Sequence, residues 1–451
     1  MTDTGIAEAS ELLRRKEISA LELTTSCLNR IEELNPTLNA FITVMHDSAL
    51  AQAREADEEI RAGNWRGPLH GIPIGLKDLF DTAGIKTTCA SALFAERVPD
   101  EDAEVVRRLQ NAGAVLIGKQ NMQEFAYGGM STSSYFGPVR NPWDVDRIAG
   151  GSSGGSATAV ATGMCFAALG TDTGGSVREP AAFCGIVGLK PTYGRVSMRG
   201  VFPLSLSLDH VGPLCRNVVD TALVLQVIAG YDRFDPTTLD VPVESYTDAL
   251  QTRTKPRIGV VRQLYFDGLD PEVESAMAEA LKVLSDLASD VVEIALPPFP
   301  TTVQGPEAFA VHAKYLAATP HLYGSWIRER FEQATAVDTV AYIEGRQELD
   351  RVRRSIADVF SQVDFLITPT SPVPPITIEE ALKMSPPLPS ELWLRNTRPF
   401  NAYGLPAISV PCGFTRAGLP IGLQIAGANF GESNLLSFAY AFEQATQATK
   451  R

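Results

Sequence analysis

GGSSGGSA (150–157) runs directly into TAVATGMCFAALG (158–170) and then into TDTGGSVREPAAFCG (171–185). Glycine is too dense in the first and third pieces for a regular element. Between them, SATAVATGMCFAALG (156–170) reads as a helix followed by a strand. A helix, a strand and a second glycine-dense turn in succession point to an α/β unit. In such a unit a glycine-dense loop marks a place where backbone comes close to something. Two such loops flanking one helix–strand pair predict a site built from both.

The alternation extends in both directions. Ser19 and Glu22 form a capping box and predict a helix from Ser19 to Leu34, with Leu23, Cys27 and Ile31 on one face. Asn35-Pro36 is expected to stop it. A charged helix is expected near 48–62, and GIPIGL (71–76) is a short apolar segment broken by Gly and Pro. Residues 103–112 read as a helix with Gly113 as its stop, followed by a strand at 114–118. Downstream, strands are expected at 258–262, 291–296, 365–368, 407–410 and 421–426, and helices at 271–289 and 432–446. Prolines 372, 374, 375, 386, 387 and 389 predict that 371–390 is irregular, a long surface loop over one domain.

Composition bounds the function. The 451 residues are 45% apolar and 20% charged, ordinary globular usage, and the net charge is −14. That acidity argues against direct nucleic-acid binding. The six cysteines are scattered with no C-x-x-C, which argues against a metal knuckle or a disulfide framework. There is no signal-peptide pattern and no apolar run long enough to span a membrane, so a cytoplasmic protein is expected.

Three features could carry chemistry: Lys77 in GIPIGLKDLFDTAG, the GGSSGGSA loop, and GTDTGGSVREPA (170–181). A phosphate cradle is disfavoured, because no Lys follows the glycines and G-x-G-x-x-G is absent. The alternative is a set of backbone N–H groups aimed at an oxyanion beside a serine. Thr173, Gly174 and Gly175 would bend the chain and leave Ser176 exposed. A serine nucleophile needs a base. None of His46, His70, His210, His312 and His321 lies in a triad-like motif. A free lysine, with pKa about 10.4, is charged at neutral pH. Burial beside GIPIGL would favour its neutral form. An ion pair with Asp78 is the competing reading of Lys77, and composition leaves both open.

Taken together, these motifs, with GTDTGGSVREPAAFCGIVGLKPTYGRV (170–196), resemble the amidase signature family. The resemblance runs from about residue 5 to 230 and again from 364 to 446, with a signature core at about 65–215. It implies one domain over 1–451, a single α/β/α sandwich whose large mixed β-sheet is covered by helices on both faces. It implies Ser176 as nucleophile, Ser152, with a cis peptide bond, as bridging serine, and Lys77 as base. Thr173, Gly174, Gly175 and Ser176 match the oxyanion hole, and Ser153, Asp172 and Arg178 match supporting positions. MQEFAY (122–127) aligns with the acyl-pocket wall, which makes Tyr127 a substrate-contact candidate. Cys184 reads as core packing. No metal or organic cofactor is implied.

Three functions compete. The first is a self-sufficient amidase acting on a small or aryl amide, with esters or carbamates as related substrates. The second is the glutaminase A subunit of a glutamine-dependent tRNA amidotransferase, passing ammonia to a partner subunit. The third is a non-catalytic protein that has kept the fold, which the presence of Lys77, Ser152 and Ser176 disfavours. A glutaminase needs charged groups to hold its amino acid. In LRNTRPFNAYG (394–404), Leu394 stands where the A-subunit pattern has Asp. That departure favours the first reading, with a small-molecule amide as the partner and a homodimer left open. Substrate walls are expected from 371–390 and from about 300–345, with WIRERFEQ (326–333) and LWLRN (392–396) supplying aromatic and Arg side chains.

Overall fold

A computed structural model describes residues 4–252, 254–384 and 392–446. Its sheet has eleven strands: β1 (Phe41–Val44), β2 (Pro73–Lys77), β3 (Val115–Gln120), β4 (Ala167–Thr171), β5 (Val187–Lys190), β6 (Val211–Cys215), β7 (Arg257–Val260), β8 (Asp290–Glu293), β9 (Phe365–Pro369), β10 (Ala407–Phe414) and β11 (Pro420–Gly427). Their spatial order is β1-β3-β2-β4-β6-β5-β10-β11-β9-β7-β8. Pairings β2–β3, β2–β4, β7–β8 and β7–β9 are parallel, and the others are antiparallel. The expected mixed α/β architecture is therefore present. Strands β2, β3, β4, β6 and β11 are buried at every residue, so both faces of the sheet centre are covered. Among the described residues, no helix is long and apolar enough to cross a membrane.

The capping box at Ser19 and Glu22 is formed, but its helix runs from Ala20 to Leu38 with Pro36 inside, past the expected stop. Proline forfeits one N–H there, close to the helix end where few bonds remain to lose. Asn35 holds the exit instead. Its amide donates to Phe41 O and accepts from Phe41 N, while its carbonyl accepts from Asn39 N. Burial of Leu38 favours the same continuation.

The proline-rich stretch is likewise not wholly irregular. Residues Ile378–Leu382 form a short helix opened by a Thr377–Glu380 capping box. Arg147 ties its approach, donating to Pro375 O at 2.7 Å. Pro386, Pro387 and Pro389 lie outside the described residues.

The topology positions the site. The parallel neighbours β2 and β4 end at Lys77 and Thr171 on one edge of the sheet. Crevices at the carboxyl ends of parallel strands are where α/β sheets usually bind ligands.

Candidate active site

Lys77 is the last residue of β2 and is fully buried. Its Nζ donates to Ser152 Oγ at 2.7 Å and to Thr171 Oγ1 at 2.9 Å. Burial pulls its pKa down to about 7, against opposing pulls from the Asp172 and Asp209 charges. The alternative partner, Asp78, is engaged elsewhere. It accepts from Thr88 N at 2.9 Å and faces Lys119 Nζ at 3.8 Å. Lys77 is therefore a buried amine among hydroxyls and not half of an ion pair with its neighbour.

Ser152 follows a cis Gly151–Ser152 peptide bond, and the helix Gly154–Ala161 starts two residues later. That helix is built of small residues because it lies against the sheet. A Cβ at Gly155 would come within 2.3 Å of Asn121 O and 2.5 Å of Ala40 O. Ser153 is buried, donating its Oγ to Thr171 O at 3.3 Å and its N–H to Ser176 O at 3.3 Å. The first glycine loop is thereby stitched to the second.

Asp172 organises the second loop. Its carboxylate takes a bidentate pair from Arg178, at 2.8 Å from Nη2 and 3.0 Å from Nε. It also accepts from Gly175 N, Val177 N and Asn401 Nδ2. Burial would push this carboxyl up, but the Arg178 guanidinium beside it holds it well below the usual range. Because Gly175 N–H is committed to Asp172, the N–H groups left without an acceptor among the described residues are those of Thr173, Gly174 and Ser176. Gly175 has φ +134, and a Cβ there would lie 2.1 Å from Thr397 Oγ1, so only glycine fits.

Ser176, 4% exposed, lines a small pocket of about 10 Å³, room for about one water. Arg330 and Arg398 bring two guanidiniums to it, and Leu394, Gln304 and Leu204 complete much of its wall. Of the stretches expected to supply substrate walls, 300–345 contributes Gln304 and Arg330 and LWLRN contributes Leu394, whereas no described residue of 371–390 lines this pocket. Tyr127 stands behind the wall. Ala126 and Gly128 on either side of it face the pocket, while its own ring lies 4.2 Å beneath the Arg330 guanidinium. Cys184 is buried in the core, with its thiol pushed up by desolvation.

Three residues were missed by sequence reasoning: Thr171, Asp209 and Arg398. Thr171, at the end of β4, is the second partner of Lys77. Asp209 accepts from Thr173 Oγ1 at 2.5 Å and from Leu204 N and Ser205 N. Arg398 reaches the pocket from a distant segment, as does Arg330 of the expected WIRERFEQ stretch. Thr171 is the second residue of GTDTGGS (170–176), and that motif could have flagged it. Asp209 belongs to no local motif singled out in the sequence, and Arg398 lies within LRNTRPFNAYG (394–404), where only Leu394 bears on the expected substrate.

A family model described as Amidase matches residues 22–436. The A subunit of the glutamyl-tRNA(Gln) amidotransferase of Geobacter sp. (strain M21) is 41% identical to this chain, covering 99% of it and 98% of the relative. Among solved structures, the peptide amidase of Stenotrophomonas maltophilia superposes with a TM-score of 0.85 at 34% identity, covering 98% and 97% of the two chains. The A subunit of the glutamyl-tRNA(Gln) amidotransferase of Thermotoga maritima superposes with a TM-score of 0.81 at 34% identity, covering 98% and 95%.

Proposed function

The chain belongs to the amidase family, and from that premise we propose that it hydrolyses a small amide through an acyl-enzyme on Ser176. Neutral Lys77 takes a proton from Ser152 as Ser152 takes one from Ser176, and Ser176 Oγ attacks the amide carbon. The N–H groups of Thr173, Gly174 and Ser176 receive the oxyanion; one such donor is typically worth about 10²–10³ in rate. The C–N bond breaks as the relay returns a proton to the leaving nitrogen, and water then releases the acid by the same path. The Lys77–Ser152 hydrogen bond at 2.7 Å carries this reading, because it places a buried amine on a hydroxyl in the loop beside Ser176.

For the substrate, we infer an amide whose acyl part bears a carboxylate, since Arg330 and Arg398 both border the pocket over Ser176. Glutamine meets that description, and similarity over nearly the full length to amidotransferase A subunits supports a role as the ammonia-generating subunit of such an assembly, with protein partners. A second reading, a self-sufficient amidase on another small or aryl amide, rests on Leu394. This apolar residue lines the pocket where a glutaminase needs a group for the amino end.

Ammonia or amine release separates the two. The purified chain, alone and then with the amidotransferase partner subunits, would be offered glutamine, an aliphatic amide, an anilide and an aryl carbamate, with Ser176→Ala as blank. Glutamine turnover that rises with partners is the expected result. Turnover of the anilide or carbamate without glutamine moves the assignment to the second reading, and full activity in Ser176→Ala overturns the mechanism.

A further inference from the structure

A cavity of about 530 Å³ lies on the other side of the wall that closes the Ser176 pocket. Trp326 forms the partition. It lines the larger cavity, and a Cβ on Gly128, which faces Ser176, would come within 2.9 Å of its ring. Arg330, on the Ser176 side, lies 5.0 Å over the same indole. We propose that this cavity is a subsite for the amine released from the substrate, with Glu124 as the counter-charge for its ammonium group.

The argument rests on how charge is divided. Hydrolysis of an amide yields one acid and one amine, which carry opposite charges at neutral pH. On the Ser176 side stand two guanidiniums. On the far side stand Glu124 and Glu329, with His321 the only basic side chain among the described lining residues. The partition therefore separates a compartment suited to the carboxylate from one suited to the ammonium.

Glu124 has the features of a built site. It is 2% exposed, accepting from Ser91 Oγ at 2.6 Å and Gly324 N at 3.1 Å. A carboxylate has about four acceptor positions, so two are left. Among the described residues no Lys or Arg pairs with it, and desolvation pushes its pKa up to about 7. A buried carboxylate without a cation is costly, and one kept inside a cavity points to a function. The remaining lining suits an amine with a carbon tail. Tyr135, Tyr323 and Trp326 bring aromatic side chains to the lining, and Met130 and Met384 bring apolar contact. Trp326 Nε1 is buried without a partner among the described residues and can donate to a polar atom of the guest. The link to the reaction is short. Glu124 opens the segment whose next residues, Phe125 (φ 51) and Ala126 (φ 58), turn the chain so that Ala126 faces Ser176.

This inference rests on amide hydrolysis and fits the second reading above better, because glutamine releases ammonia, which has no carbon tail. The test measures binding, so its failure and that of hydrolysis are distinguishable. Butylammonium chloride would be titrated calorimetrically into Ser176→Ala, with sodium chloride and butanol as controls and ammonium chloride to gauge the tail. Saturable butylammonium binding that weakens about tenfold in Ser176→Ala/Glu124→Gln, with neither control binding, is the expected result. Absence of binding, or equal affinity in the two proteins, overturns the proposal. If the Glu124→Gln protein does not fold, the exposed wall residue Tyr135 decides, because Tyr135→Ala should weaken binding several-fold and unchanged affinity overturns it. An inactive wild type that binds butylammonium would overturn the hydrolytic reading and with it the cavity's role as a product subsite, whereas an active wild type that does not bind overturns the subsite alone.

Discussion

Lys77 shows what a single residue contributes, because its burial serves chemistry at the expense of stability. A free lysine is about 10.4 in pKa and holds a proton at neutral pH. Here desolvation brings it to about 7, so the amine is half neutral near physiological pH. If it is the base, kcat/KM rises with pH through about 7. Lys77→Ala should then lose activity that alkaline buffer does not restore, whereas full rescue would make it a charge partner. The same shift has a sign for stability. Between about 7 and 10.4 the unfolded chain holds a proton that the folded chain lacks, so this group's contribution to stability rises with pH in that window. The effect is up to about 1.4 kcal/mol per pH unit. Lys77→Met removes it, so urea unfolding at pH 7 and pH 9 should show the wild type gaining more than the variant. Sequence indicated burial of this lysine, because an apolar run precedes it, but it did not separate a base from a partner of Asp78. Only the fold shows that Asp78 turns to Thr88 and Lys119.

At the scale of an element, the loop between β4 and the helix Arg178–Cys184 is held from both sides, and only one of these was legible. Asp172 and Arg178 lie inside the motif itself. Asp209 arrives from the approach to β6 and accepts from Thr173 Oγ1 at 2.5 Å. That hydroxyl belongs to one of the residues whose N–H is proposed to meet the oxyanion. The carboxylate also raises the pKa of Lys77, as Asp172 does, and Glu307 acts on Asp209 in turn. Asp209→Asn should therefore do two things. The amide nitrogen or oxygen must face the donors Leu204 N, Ser205 N or Thr173 Oγ1, so the loop loses its anchor and kcat should fall about tenfold, less than for loss of an oxyanion donor. With the negative charge gone, Lys77 releases its proton more easily, and the acid limb of kcat/KM should move to lower pH. A lower kcat with an unmoved limb would assign Asp209 to folding alone. The misread elements have related causes. Pro36 stays in its helix because Asn35 and buried Leu38 secure the end, and Ile378–Leu382 becomes helical because Thr377 and Glu380 cap it. Local propensity was overruled in the first case by tertiary contacts and in the second by a capping box that the count of prolines obscured.

Across the whole molecule, the site is where the two halves of the chain meet. Arg178 lies in the glycine-motif half, yet its Nη1 donates to Thr397 O at 2.9 Å and Gln424 Oε1 at 2.7 Å, and its Nη2 to Asn401 Oδ1 at 2.7 Å. These partners are 219, 246 and 223 residues away. Alternating helix and strand signals along the sequence announced an α/β protein. They carried no information on which strands pair, so the insertion of β5 and β6 between β4 and β10, and the arrival of Arg398 at Ser176, were not readable. Arg178 thus bears on fold and chemistry together, and its energetics can be separated. Arg178→Met would leave the Asp172 carboxylate buried and uncompensated, at a cost of about 3–5 kcal/mol. In Asp172→Asn/Arg178→Met no charge remains to desolvate, and the amide oxygen introduced by the first substitution can still accept from Gly175 N. Chemical unfolding of the double variant should then recover part of the loss, since replacing a buried pair costs less than breaking one. If the double variant is as unstable as the single, the cost lies instead in the hydrogen bonds from Arg178 to Thr397, Asn401 and Gln424. The guanidinium would then serve chiefly to fasten the second half of the chain to the first, with the Asp172 charge secondary.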